Sequence, residues 1–347
     1  MRVVCLLLGM LIGLGTVSAN AADALLKPGE AVDYGPLSFF PQRWKDQKQS
    51  TQLYPWEGQQ VVLLTTKNDL DPAVVKIFLE RLDGGWKYYA DMLGQAPRPA
   101  KLWNKKPTIA AVPDVRLTCG LGCGQVGATG IEIGGFDNDY RRVSKNPKLF
   151  PHYYFYEMGR NYFVFGDRHS SFTTGFAVFM RYCCMDKLGC EDDEAALRKQ
   201  IEQAEELYSK TDLTFLQAFT MQGGLGEKAP RLKDARGPSD QPVMYASAML
   251  KLRRDHGGDE WVGRFFRQLA TCPEVKPDKP EGALQQALAW YISASLAARQ
   301  DLAPLFVERW RLPLGEKTRQ ALKQVTWDDS QLTTAEVLKK LPPVAAN

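Results

Sequence analysis

Histidine is almost missing from this chain: His152, His169 and His256 are the only three in 347 residues. Imidazole is the commonest protein ligand for transition metals and the usual general base near neutral pH, so few centres of either kind can be assembled here. An excess of one charge is also lacking. The 44 Lys and Arg nearly balance 40 Asp and Glu, the formal net charge is +4, and both signs are interspersed. That leaves no electrostatic footprint for nucleic acid. Beyond the N-terminal segment there is no apolar run long enough to span a bilayer. There is no Gly-x-Ser-x-Gly elbow, the glycine-rich stretch 118–135 has no phosphate-loop lysine, and no cysteine has a nucleophile's surroundings.

What is present begins with residues 1–21, which read as a secretory signal: Arg2, an apolar run over Val3–Val17, and the small-x-small site Ala19-Asn20-Ala21. Cleavage is expected near Ala21 and the destination is secreted or periplasmic, with no membrane span afterwards. The rival, a retained anchor, needs a longer apolar stretch, and Cys5 lies too early for a lipoprotein cysteine. Eight Trp, 16 Phe and 13 Tyr argue against disorder. Six cysteines follow the signal, namely Cys119, Cys123, Cys183, Cys184, Cys190 and Cys272, and all six are disulfide candidates. Cys119 and Cys123 are spaced to close a glycine-rich loop, and Cys190 is within reach of Cys183 or Cys184. A metal or redox reading of Cys119-x-x-x-Cys123 lacks a neighbouring second pair or histidine.

The organisation expected from pattern is α+β: an N-terminal mixed sheet with helices, then a mainly helical part. Residues 22–56 form an irregular leader, 57–222 an α/β subdomain, 239–314 a helical subdomain, and 315–347 a loosely packed polar tail. Strands are predicted over 60–66, 108–112 and 131–133, the last in a glycine-rich hairpin at a sheet edge. Asp71-Pro72 and Gly94 bracket a helix with apolar spacing from Val74 to Tyr89. Further helices are predicted over 152–165, 173–188, 191–208, 242–255, 260–270, 283–298 and 302–310, with a boundary loop over 223–238.

The chemistry concentrates in Tyr156-Glu157-Met158-Gly159-Arg160-Asn161. This run resembles the secreted, gluzincin-type zincin-like metallopeptidases, whose motif reads His-Glu-x-Gly-His-Asn. Glu157 falls on the catalytic Glu, Gly159 on the glycine and Asn161 on the asparagine, while Tyr156 and Arg160 stand at the two histidine positions. Downstream, Phe172-Thr173-Thr174-Gly175-Phe176-Ala177 is similar to the family's Glu-Gly-Phe/Ile-Ala segment, with Thr174 where the third zinc ligand stands. Tyr245 corresponds loosely to a substrate-binding position. The resemblance spans residues 60–310 in architecture and a much shorter stretch in motif. It implies a zincin-like scaffold degenerate at all three ligand positions, with no metal and no cofactor, because an arginine has no lone pair to give a cation.

On a helix, residues 153, 156, 157 and 160 share one broad face, and Glu157 and Arg160 are i, i+3 partners. Two readings follow: Arg160 neutralises a buried Glu157 and holds the fold, or Arg160, Tyr156 and Thr174 line a residual cleft for an anion or a sugar hydroxyl. His152 with Tyr156 and His169 is a third, metal-binding option. The aromatic set Trp86, Tyr88, Tyr89, Tyr153, Tyr154 and Tyr162 has the spacing of core more than of a sugar platform.

The function expected is an exported non-peptidase that binds through the former active-site cleft, with Tyr156, Arg160, Thr174 and Tyr245 as ligand contacts. Its partner is an unknown peptide, glycan or small anionic ligand. The alternatives are a hydrolase using Glu157 as catalytic general base with a non-standard metal or none, and a structural envelope protein.

Overall fold

The leader upstream of Gly58, expected to be irregular, supplies two strands. In the computed structural model, which describes residues 26–169, 173–220 and 240–342, it forms β1 (Val32–Asp33), α1 (Pro41–Asp46) and β2 (Gln52–Glu57). Pro55 hides β2 from sequence reading, yet it pairs with Leu64 in register. The expected signal peptide, Phe172 and the loop over 223–238 lie outside the described residues.

The sheet continues through β3 (Val62–Thr65), then α2 (Pro72–Leu93), β4 (Leu102–Trp103), β5 (Lys106–Ala111), β6 (Gly122–Gly124) and β7 (Ile131–Ile133). Its order is β1-β2-β3-β5-β7-β6, with β4 off the path on β5. Strands β3, β5 and β7 run parallel, while β2 and β6 are antiparallel to their neighbours. The sheet is therefore mixed, and the chain is α+β.

Helix α2 starts and stops where its caps dictate. The Asp71 side chain accepts from Ala73 N, Pro72 opens the first turn, and Gly94 ends it with φ +63°. Val74, Val75, Phe78, Leu82, Trp86 and Tyr89 are all buried against Leu63, Ile109, Ile131 and Ile133, in a core shared with the later helices. Each such large apolar side chain contributes about 1.5–3 kcal/mol on burial. The opposite face of the sheet, presenting Leu53, Val62, Leu64 and Ala110, is covered by Tyr34 and Trp44 of the leader and by Leu117.

Helix α3 (Phe136–Lys145) was not expected. It is polar, and only Phe136, Asp139 and Val143 are buried. Strand β8 (Leu149–Phe150) pairs in parallel with β9 (Glu191–Asp192), so residues 191–192, expected to open a helix, are extended. Helix α4 (His152–Asn161) is shorter than the expected 152–165, because Phe163 and Phe165 leave the helix to pack on Phe176.

The remaining helices are α5 (Thr173–Leu188), α6 (Ala195–Ser209), α7 (Phe215–Phe219), α8 (Gln241–Asp255), α9 (Gly258–Leu269) and α10 (Pro280–Ala298). A π-helical turn follows at Pro304–Arg309, then α11 (Glu316–Leu322) and α12 (Thr334–Lys340). The tail, expected to be loose, packs through buried Leu322, Trp327 and Val337, and Thr334 N donates to Gln268 Oε1 at 2.9 Å. No described helix is long and apolar enough to cross a membrane.

Cys119 and Cys123 form a disulfide. The expected link of Cys190 to Cys183 or Cys184 is absent, and Cys183, Cys184, Cys190 and Cys272 are free thiols. Cys183 and Cys184 are enclosed in the all-round buried face of α5, while Cys190 lies past the end of that helix, beyond Gly189 (φ +63°).

Candidate functional site

Helix α4 lies against the outer strand β6, and glycines permit that approach. A Cβ on Gly124 would come within 2.4 Å of Glu157 O, and one on Gly122 within 2.7 Å of Glu157 Cγ. The ladder fixes which backbone groups face the helix. Leu121 O accepts from Gly134 N and Gln125 N donates to Gly130 O, so Cys123 pairs with Glu132 while Gly122 and Gly124 turn their N–H and C=O away from β7.

Both outward groups of Gly124 are taken by the motif residues. Gly124 N donates to Glu157 Oε2 at 2.6 Å, and Arg160 Nε donates to Gly124 O at 3.3 Å. Carboxylate and guanidinium thus stand where the next strand of the sheet would place its own acceptor and donor. They also approach each other, with Arg160 Nε 3.7 Å from Glu157 Oε2. Asn161 completes the attachment: its Nδ2 donates to Gln125 O and Gly130 O, both at 3.0 Å, and its Oδ1 accepts from Gly130 N at 3.2 Å. Gly127 N donates to Arg160 O at 3.1 Å. One turn of α4 therefore staples the whole β6–β7 hairpin.

The two charges differ in environment. Glu157 is buried, and this burial pushes its carboxyl up to about 7 against the opposing effects of the Gly124 N–H and the Arg160 charge. The Arg160 side chain keeps 30% of its surface exposed, and beyond its Nε it makes no hydrogen bond from Nη1 or Nη2 among the described residues.

The other sequence candidates distribute around this pair. Gly159 meets Ala177, where a Cβ would lie 2.9 Å from Ala177 Cα, and Arg181 Nη1 contacts His152 Nδ1 at 2.8 Å, so α4 and α5 run antiparallel. That register places Thr174 toward the C-terminal end of α4 and Tyr156 near Arg181, whose guanidinium lies 5.9 Å from the Tyr156 ring. Tyr245 is fully buried and its hydroxyl lies 2.7 Å from His169 Nε2, which conflicts with the expected ligand contact, since the ring is enclosed by Trp290 and Gly175. His169 sits in that aromatic cluster and burial drives its pKa down to about 3. The option of a joint His152–Tyr156–His169 site fails for this reason: His169 belongs to the Tyr245 cluster and His152 to Arg181.

His152, Asp192 and Asp193 bring three ligand-type atoms within 4.8 Å of one another. The ring is already committed, however. Nδ1 faces an Arg181 N–H, which is always a donor, so Nδ1 accepts and the proton resides on Nε2, 3.2 Å from Glu194 Oε2. Neither nitrogen offers a lone pair to a cation while Arg181 stays. Burial, and next the Arg181 charge, lower the His152 pKa, which keeps the ring neutral.

Sequence reading missed Gly122, Gly124 and Asp139. The glycine alternation 120, 122, 124 was the available signal for a strand with one face pressed on a helix. Asp139 of α3 is buried, accepts from Tyr153 and Tyr154 hydroxyls, and is pushed up to about 6 by burial.

No protein-family model and no curated protein matches the chain. Among solved structures, two crystal structures of a functionally unknown conserved protein from Bacillus anthracis str. Ames, one of them a mutant, align with TM-scores of 0.51 and 0.50 at 13% and 12% identity. Each alignment covers 78% of this chain and 51% of that one. ZmpB metallopeptidase from Clostridium perfringens aligns with a TM-score of 0.46 at 12% identity, over 86% of this chain and 54% of its own. The chain thus spans about half the length of these proteins, and the likeness is one of fold.

Proposed function

We propose that the chain is an exported binding protein on a metallopeptidase-like scaffold, in which Arg160 replaces a metal ligand and receives an anionic group of an extended polypeptide. The observation that carries this reading is the divided guanidinium: Nε is fixed on Gly124 O, while Nη1 and Nη2 of the partly exposed side chain make no hydrogen bond among the described residues. A guanidinium pre-oriented in this way suits a planar carboxylate. Two features favour a polypeptide over a sugar. Gly122, two residues from the Gly124 that holds Arg160, also turns its N–H and C=O away from β7, and the flanking Leu121 and Val126 are exposed apolar side chains. The expected signal and the Cys119–Cys123 disulfide accord with an oxidising compartment.

A second reading, hydrolysis with Glu157 as base, draws support from a carboxyl held at about 7. Against it, β6 lies directly on that carboxylate and one oxygen is occupied by Gly124 N.

The test is calorimetric titration of the mature protein with extended peptides carrying acidic side chains or a free C-terminus. Arg160→Ala is expected to weaken binding at least about tenfold, a charge-assisted contact of some 1.5–3 kcal/mol, with Glu157→Gln retaining it. Equal binding by wild type and Arg160→Ala overturns the reading. So does stoichiometric zinc in the purified protein, or peptide cleavage abolished by Glu157→Gln.

A further inference from the structure

The hairpin that α4 staples has a second face, turned toward the leader. Cys123 and Glu132 are direct ladder partners, so their side chains project together on that side, opposite Gly122 and Gly124. Cys123 is 9% exposed, whereas Cys119, its disulfide partner, is exposed. Glu132 is wholly buried. Its Oε1 accepts from Tyr34 hydroxyl at 3.0 Å and from Phe39 N at 2.8 Å, which ties the leader to the sheet. Its Oε2 is buried and makes no close hydrogen bond among the described residues. The hydroxyls of Thr118, next to Cys119, and of Ser38 face the same carboxyl. Anchoring the leader engages Oε1 of Glu132, and this wholly buried carboxyl stands on the ladder directly opposite Cys123.

We propose that Cys119–Cys123 is a reversible redox centre that exchanges with external thiols, and that Glu132 supplies the proton to the departing Cys123 sulfur. The co-reactant is a dithiol, either a small reductant or a polypeptide with two cysteines. Its thiolate attacks the exposed Cys119 Sγ, the S–S bond breaks as a mixed disulfide forms, and the electron pair leaves on Cys123 Sγ, which takes the Glu132 proton. The second thiolate of the co-reactant then attacks its own sulfur in the mixed disulfide. Cys119 departs as a thiolate and is protonated from water, and Glu132 regains its proton from solvent. The chain ends with two thiols and the co-reactant with a disulfide.

Three observations fit this assignment. Burial raises the Glu132 pKa, so the carboxyl holds a proton above the usual carboxylate range. The nearby cations are engaged elsewhere, with Arg43 of the leader donating to Thr118 O and Lys101 to Ser38 O. Val115, Leu121 and Val126, the exposed large apolar residues of the described chain, lie within four residues of Cys119 or Cys123 in sequence and offer apolar surface to the neighbours of a polypeptide cysteine. None of this depends on the role given to Arg160.

The test is reduction of the full folded chain by dithiothreitol, quenched with iodoacetamide and read by mass spectrometry of the peptide containing Cys119 and Cys123. That readout separates them from the other cysteines of the chain. Wild type is expected to reduce without unfolding, and Glu132→Gln to slow the step at least about tenfold. Tyr34→Phe, which loosens the leader but keeps the carboxyl, is expected to stay within about twofold of wild type, as proton donation but not a purely structural role of Glu132 requires. In wild type alone, the rate per unit of reductant thiolate is expected to fall as pH rises and Glu132 ionises. A disulfide that opens only on denaturation, a Glu132→Gln rate equal to wild type, or a flat pH profile overturns the proposal.

Discussion

The carboxylate of Glu157 accepts the backbone N–H of Gly124 at 2.6 Å, although nothing in the motif's spacing foretold a strand at that position. The contact makes a helix residue an edge partner of the sheet, and it ties local stability to the protonation of one buried acid.

That linkage has a definite sign. Burial lifts the Glu157 carboxyl from 4.5 to about 7, so between these values the folded chain binds more protons than the unfolded chain. The contribution is fully present below pH 4.5 and is lost as pH rises through 7, on the order of 3 kcal/mol in all. Unfolding in urea at pH 5, 6, 7 and 8 is expected to show Glu157→Gln with a flatter profile than wild type across that window. Asp139, raised to about 6, is present in both proteins and cancels in the comparison. Parallel profiles would remove Glu157 as a titrating group.

Close approach of β6 to α4 predicts a graded response to added methyl groups. Gly124→Ala would set a Cβ 2.4 Å from a backbone oxygen, and Gly122→Ala would set one 2.7 Å from the Glu157 side chain. A backbone atom yields less readily than a side chain. Gly124→Ala is expected to cost about 2–4 kcal/mol and Gly122→Ala less, measured as shifts in denaturant midpoint at constant slope. The reverse order would mean that β6 shifts freely over the helix.

Much of this arrangement is legible in the sequence, and the losses have physical causes. Asp71, Pro72 and Gly94 announced α2 because caps are local chemistry. The glycines of 118–135 announced a hairpin at the sheet edge, but not its purpose, since close approach depends on a helix thirty-odd positions away in sequence, beyond any local pattern. The strand over 131–133 was placed in that edge hairpin, and the structure buries its Glu132 because the leader folds over it. The leader itself was missed through Pro55, and the tail because Leu322, Trp327 and Val337 are too widely spaced for a helical period. Arg160 was read correctly as a partner of Glu157. Its sharing of Gly124 with that residue was invisible to sequence reasoning.

The Cys119–Cys123 bond closes a very short loop, so its thermodynamic weight is modest. Loop-closure entropy gives about 2 kcal/mol for a ring of this size. The double variant Cys119→Ser, Cys123→Ser is expected to remain folded and to lose about that much in chemical denaturation. A loss several-fold larger would show that the disulfide holds the hairpin on α4 by more than closing its own loop, with Asn161 and Glu157 unable to keep it there unaided.

His169 opposes Glu157 in its response to acid. Burial lowers its pKa from 6.5 to about 3, so the folded chain binds fewer protons than the unfolded one between those values. The stability it contributes is present above pH 6.5 and is lost as pH falls toward 3. Among the described residues no carboxylate is paired with the ring: its neighbours are Tyr245, Phe265 and Trp290, and its Nδ1 makes no hydrogen bond. Between pH 6.5 and 4.5 this loss offsets the Glu157 gain, and wild type is expected to destabilise below about pH 4.5, where that gain is complete. A His169→Gln variant, whatever its absolute stability, is expected to show a shallower acid limb in urea titrations at pH 6, 5 and 4. An unchanged slope would place the acid-sensitive group elsewhere, with His152 beside Arg181 the next to substitute, because its lowered pKa gives it the same sign.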